Sequence, residues 1–179
     1  MKKHLILAAV AVFAFAMAAN AQEAVNFSGT WTLDVAKSKL AGPPIESQTL
    51  VVTHSGTDLK VEQTTKRGAP PAGAPQGPPP GGGGRGGMMG GGDGTATYTL
   101  DGKGKASTMS TQMGDLQITT TAKQDGSKIE ITRSVETPMG ARSTTEEWTL
   151  GTDGTLTIES QRPNRDGGTD TTTRVFTKK

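Results

Sequence analysis

The sequence predicts an all-β protein: an antiparallel up-and-down barrel of about eight to ten strands carrying one long disordered loop. Three observations carry this. Apolar and polar residues alternate, as in Leu116-Gln117-Ile118, Ile129-Glu130-Ile131 and Leu156-Thr157-Ile158, which is the period of a half-buried strand. Thr is abundant, and after residue 21 no stretch repeats its apolar residues at helical spacing. The pairs Asp101-Gly102, Asp125-Gly126 and Asp153-Gly154 punctuate the alternating runs and predict hairpin turns.

Taken from the N-terminus, residues 1–21 read as a secretory signal. Lys2 and Lys3 provide the positive start, Leu5 to Ala19 the apolar run, and Ala19-Asn20-Ala21 a small-x-small cleavage site. Cleavage after Ala21 would leave a chain that starts at Gln22 and resides in the periplasm or outside the cell. The sequence has no Cys, so a lipid anchor at the cleavage site and disulfides are both excluded. No later segment is apolar enough to be a transmembrane helix. The whole chain has 19 Lys and Arg against 17 Asp and Glu; without Lys2 and Lys3 the balance is zero. A neutral chain has little long-range attraction for nucleic acid or anionic lipid, so neither is an expected partner.

Strands are expected near 28–34, 47–54, 57–65, 95–101, 105–112, 115–123, 127–136, 142–150, 155–162 and 169–177. Pro138-Met139-Gly140 and Asp166-Gly167-Gly168 supply two further turns. Residues 68–94 hold 13 Gly and 6 Pro among 27 positions, too little apolar surface to offset the entropy of ordering them. The three strands before this segment are too few for a core of their own. Residues 22–179 therefore form one domain with a disordered Gly/Pro-rich insertion at 68–94, which costs little because closure entropy grows only logarithmically with length. Strands joined in order, each with one apolar face, close most economically as a barrel; a two-sheet β-sandwich is the alternative. A monomer is expected.

Phe27-Ser28-Gly29-Thr30-Trp31-Thr32-Leu33 resembles the opening strand of the lipocalin and fatty-acid-binding-protein (calycin) superfamily. The resemblance implies that Gly29 and Trp31 plug one end of the barrel with an indole. The last strand, "TTTRVFTKK" (171–179), resembles that of the fatty-acid-binding proteins, where an Arg-x-Tyr grips a ligand carboxylate. Arg174 and Phe176 occupy those positions, with Phe in place of Tyr. "QDGSKIEITR" (124–133) resembles the hairpin whose second strand bears another carboxylate-binding Arg, here Arg133. The segment "AKSKLAGPPIES" is too short for that family's two-helix lid. "TWTLDVAKSK", "YTLDGKG" and "EEWTLGTDGTLTI" are similar to a pattern shared by exported bacterial lipocalin-like barrel proteins, a resemblance that implies fold and compartment but no activity.

Catalytic constellations are missing from the sequence. Beyond the signal the only His is His54, and no Gly-x-Ser-x-Gly elbow, metal-ligand cluster or Walker-type Gly-Lys-Thr is present. Glu146 and Glu147 are neighbours on a strand and face opposite sides, so they cannot act as a pair. No metal and no cofactor is implied. Pro78-Pro79-Pro80 and Gly84-Arg85-Gly86-Gly87 read as parts of a solvated loop.

What remains is the barrel interior. Parity from Trp31 puts Leu33, Leu50, Val52, Leu59, Val61, Tyr98, Leu100, Leu116, Ile118, Ile129, Ile131, Val135, Trp148, Leu150, Leu156 and Ile158 inside. That lining is sparse, fitting either a cavity for an apolar ligand or a narrow filled barrel. Arg133 shares its face with Ile129 and Ile131, so it is an internal anion partner or a residue of the mouth. The expected function is non-catalytic binding of a small apolar or amphipathic molecule, acidic ones included, with Arg133, Arg174, Phe176, Tyr98 and Trp148 as candidate ligand-binding residues. The alternative is an envelope interaction or maintenance protein with a filled barrel, acting through its surface or its Gly/Pro loop.

Overall fold

A computed structural model describes residues 24–41, 44–68, 93–111, 114–137, 140–164 and 166–179. The signal segment 1–21, nearly all of the 68–94 insertion and the Pro138-Met139 turn lie outside these residues. Ten strands follow in chain order: β1 (Gly29–Leu33), β2 (Ile45–Ser55), β3 (Asp58–Arg67), β4 (Gly94–Thr99), β5 (Asp101–Thr111), β6 (Gly114–Asp125), β7 (Lys128–Thr137), β8 (Gly140–Leu150), β9 (Thr155–Pro163) and β10 (Thr169–Lys178). There is no helix among the described residues.

All nine pairings are antiparallel, and the strands run in the order β4-β3-β2-β1-β10-β9-β8-β7-β6-β5. Because β1 joins β10, chain start to chain end, the sheet wraps round a single interior. It is a nearly closed up-and-down antiparallel barrel, not a two-sheet sandwich. Twelve of the sixteen residues assigned inward by parity belong to one buried cluster and Leu150 packs against it, while Leu116, Ile118 and Val135 are half-buried.

The barrel has a packed lower end and a polar upper end. Trp31, Leu50, Val52, Leu59, Val61, Ile129, Trp148, Leu156, Ile158 and Phe176 are all within a few per cent of complete burial. Residues 25–28 cross beneath them. Val25 N–H donates to Gly126 O at 3.2 Å and the Gln124 amide donates to Val25 O at 2.8 Å, tying one side of the crossing to the β6–β7 turn. On the other side Phe27 N–H donates to His54 Nδ1 at 3.2 Å, and Ser28 Oγ accepts from His54 N–H at 2.8 Å. Phe27 is thereby fully buried, and its carbonyl accepts from Trp31 Nε1 at 3.0 Å.

Why Gly29 precedes the indole follows from this floor. Its φ of 150° is one that residues with a Cβ rarely adopt, and a Cβ there would stand 2.6 Å from Lys178 Cε. The Lys178 stem crosses at Gly29 and sets Nζ 5.4 Å from the Trp31 ring centroid, closing the end of the barrel with a cation over the aromatic face.

One expected turn is absent. Asp101-Gly102 does not join two paired strands, for β4 and β5 are not hydrogen-bonded to each other. Leu100 N–H is held by Thr57 O on the β3 side, whereas one residue later Asp101 already pairs with Lys123 of β6. With no residue between the two commitments there is no room for a hairpin. Instead Gly102, at φ 73°, turns the chain through a bulge between Asp101 and Gly104, and the wall parts at a β4–β5 seam. Residues 101–110 of β5 are exposed on both faces. Lys103, Lys105 and Asp101 put charge along this open edge, which discourages pairing with another chain. Asp125-Gly126 does turn β6 into β7, and Asp153-Gly154 lies in the β8–β9 loop.

The β1–β2 connection contains no helix among its described residues. It is strapped to β10 by reciprocal backbone bonds between Lys39 and Thr173, and Ser38 Oγ accepts from Val175 N–H at 3.0 Å. The strap covers the stretch of β10 that the five-residue β1 is too short to reach.

The floor should dominate stability. Trp31→Ala is expected to lower the unfolding free energy by about 3–5 kcal/mol through lost burial and the cavity left behind. Gly29→Ala should cost about 1–3 kcal/mol through its disfavoured backbone. Urea titrations of the two variants against the parent check both values.

Candidate functional site

Above the floor the inner face becomes polar. Inward positions of β7, β8, β9 and β10 are Arg133, Glu146, Ser160 and Arg174, brought onto one face by the pairs Ile131↔Glu146, Glu146↔Ser160 and Arg174↔Ile158. Tyr98 joins them from β4, on the other side of the seam.

Glu146 is the hub. Its Oε1 accepts from Arg174 Nη2 at 3.2 Å and from Ser160 Oγ at 3.3 Å, while Oε2 accepts from Trp148 Nε1 at 3.3 Å. The Arg174 and Glu146 side chains are 13% and 19% exposed, which makes this the most buried ion pair among the described residues. Each of the other pairs has at least one partner that is half-exposed or more. Such a pair is held tightly, because removing either partner leaves a buried charge uncompensated.

Arg133 differs. It is half-buried, acts on the Tyr98 phenol, and has no carboxylate partner among the described residues. It faces a half-open cavity of about 510 Å³ at the β4–β5 seam, lined with Ala96, Tyr98, Ala106, Ser107, Thr120 and Ala122; Asp101, Lys103 and Lys105 stand at its mouth. The lining thus combines small apolar groups and hydroxyls with one buried-side cation. Across the barrel Gln48 is 1% exposed; its amide nitrogen donates to Thr65 Oγ1 at 3.1 Å, and its Oε1 has no hydrogen-bond partner.

Of the candidate residues read from the sequence, Arg133 and Tyr98 line the cavity. Arg174 points inward but is engaged by Glu146. Trp148 and Phe176 are inward as well, yet lie in the sealed core at 1% and 0% exposure, beneath the polar residues. Gly29 and Trp31 form the floor. Arg133 is half-buried on the inner face. Sequence reasoning missed Glu146 as the partner of Arg174 and Ser160 as its support. The signal was available: Glu146 lies two residues before the inward Trp148, so parity puts it inside. His54 is fully engaged by the backbone at the floor, with Nδ1 accepting from Phe27 N–H and Nε2 donating to Gly56 O at 3.2 Å.

The chain is thus an all-β barrel protein of ten antiparallel strands with a polar, partly open interior. No protein-family model matches the sequence, and no curated protein sequence is similar to it. Among solved structures it is similar to the crystal structure of the wild-type fluorescent protein UnaG, with a TM-score of 0.48 and 16% identity over 86% of this chain and 97% of that one. A point mutant of UnaG gives the same TM-score and identity over 85% and 95%.

The chain's single tyrosine reports directly on this site. Burial pushes the Tyr98 phenol up to about 12 from the ordinary 10.0, helped by the Glu146 carboxylate and opposed by Arg133 and Arg174. Because the folded value is the higher, this contribution to stability is fully present below pH 10 and is lost as pH rises through 12. Tyrosinate absorbance should therefore titrate near 12 in the native protein and near 10 in urea. Arg133→Met should move the native midpoint up and Glu146→Gln should move it down.

Proposed function

We propose that the protein is an exported, non-catalytic carrier of a small amphipathic molecule whose acidic group is set against Arg133. The observation that carries this reading is the Arg133 guanidinium, which has no carboxylate partner among the described residues and faces a cavity of about 510 Å³. That volume is within the usual range for small-molecule sites, which combine apolar walls with a few orienting polar groups. A partly desolvated guanidinium whose fork has no carboxylate favours an anion, and its planar donors can hold one with two parallel bonds. Ala96, Ala122 and the Tyr98 ring offer apolar contact for the rest of the molecule.

The non-catalytic part is supported by the state of His54, whose two ring nitrogens are both occupied by backbone groups away from the cavity. Export is supported by the sequence of residues 1–21 and accords with the resemblance to exported bacterial lipocalin-like barrels. Protein recovered from a cell envelope should begin at Gln22 by N-terminal sequencing. An intact Met1 on the recovered chain would remove the export reading.

Binding is tested with a fluorescent fatty acid of about twelve carbons, titrated into protein first stripped of lipid. Saturable enhancement is expected, and Arg133→Met should weaken it by about 1.5–3 kcal/mol, roughly ten- to a hundredfold. No saturable binding, or equal affinity in the variant, would falsify the assignment.

A further inference from the structure

Glu146 occupies a position that ligand carriage alone does not require. We infer that it determines the charge of the molecule accepted: by engaging Arg174 it leaves one guanidinium free, so the cavity selects a monoanionic head group over a dianionic one. This rests on the reading that the cavity binds an amphipathic acid.

Three observations carry the inference. Arg133 and Glu146 point inward from adjacent strands as diagonal neighbours, through the pair Ile131↔Glu146, and Glu146 engages Arg174 at 3.2 Å, so the three charges share one neighbourhood and sum to a single positive charge. Glu146 is fastened by three donors from three residues, Arg174, Ser160 and Trp148, at 3.2–3.3 Å. A ligand oxygen that sought Arg174 would have to displace this carboxylate and leave it buried without its cation. The remaining cations at the cavity, Lys103 and Lys105, are exposed at the mouth, where solvent and salt screen them. Discrimination by charge therefore falls to the interior. One open guanidinium neutralises a carboxylate, whereas a second negative charge on the same head would face Glu146 with no cation of its own.

Removing the Glu146 charge should convert the site. In Glu146→Gln the Arg174 guanidinium loses its carboxylate partner, which leaves two positive charges and no Glu146 carboxylate on this part of the inner face. The experiment compares dodecanoate with dodecyl phosphate at pH 8, above the second phosphate pKa of about 6, by displacement of the fluorescent fatty acid. The parent should bind dodecanoate more tightly than dodecyl phosphate. Glu146→Gln should tighten dodecyl phosphate by about ten- to a hundredfold and change dodecanoate by less than about fivefold. The double variant Glu146→Gln with Arg174→Met restores a single interior positive charge without a buried ion pair, and should regain the parent's preference. That variant also serves if Glu146→Gln alone does not fold: it should keep dodecanoate affinity within about fivefold of the parent, since Arg174 is not the ligand's donor.

Equal gains for both head groups in Glu146→Gln, a parent that prefers dodecyl phosphate, or loss of dodecanoate binding in the double variant would each overturn the role given to Glu146. Binding of neither amphiphile by the parent would instead bring down the carrier reading on which it rests.

Discussion

The crossing of residues 25–28 beneath the barrel is the constraint from which the rest of the structure follows. A barrel with no disulfide must close its lower end with side chains. Here Phe27 does so, held between the Gly126 turn and the end of β2, with the Trp31 indole bonded to its carbonyl. That arrangement sets the parity of β1. Through the pairs Trp31↔Leu50 and Leu33↔Phe176 it then sets the inward face of both neighbouring strands, and register carries the same parity round the wall. A one-residue slip anywhere would turn Glu146 and Arg174 out to solvent together with the apolar residues below them.

With the floor closed by large side chains, the upper half can be polar and loosely filled. The strands show this division along their length. β10 runs from Thr169-Asp170-Thr171 at the exposed end to the fully buried Phe176, and β8 from the exposed Gly140-Ala141-Arg142 to the buried Trp148. The apolar residues at the lower end supply most of the burial, and the upper inner face is left available for charge. An Arg–Glu pair placed there contributes little net stability, because desolvation of both ions offsets their attraction. Its consequence is electrostatic: it leaves one interior guanidinium without a counter-charge.

The seam adds the second element. Because β4 and β5 part after Leu100, the wall opens beside Tyr98 and Arg133, and the unpaired guanidinium faces a space that reaches solvent. Had Asp101-Gly102 formed the hairpin that its composition favours, β4 and β5 would have sealed this side. The bulge at Gly102–Gly104 thus couples a backbone detail to access to the interior.

Much of this was legible in the residues. Alternation predicts ten strands whose ends agree with those observed to within a few residues, and parity from Trp31 sorts inside from outside, because a strand's side-chain period is two whatever it pairs with. The same rule places Arg133 and Glu146 on the inner face and Arg174 on the face of Phe176. Three things were decided only by the tertiary structure. Which cation Glu146 engages depends on reach across one intervening strand, from β8 over β9 to β10 rather than to adjacent β7, and sequence separation does not encode that distance. Whether Asp101-Gly102 closes a hairpin depends on β3 and β6 each claiming a neighbouring residue, a competition between distant partners that local turn chemistry does not register. The burial of Trp148 and Phe176 beneath the polar residues depends on their height along the barrel axis. Parity tells which way a side chain points, while strand stagger, a property of the closed sheet, determines how deep it lies.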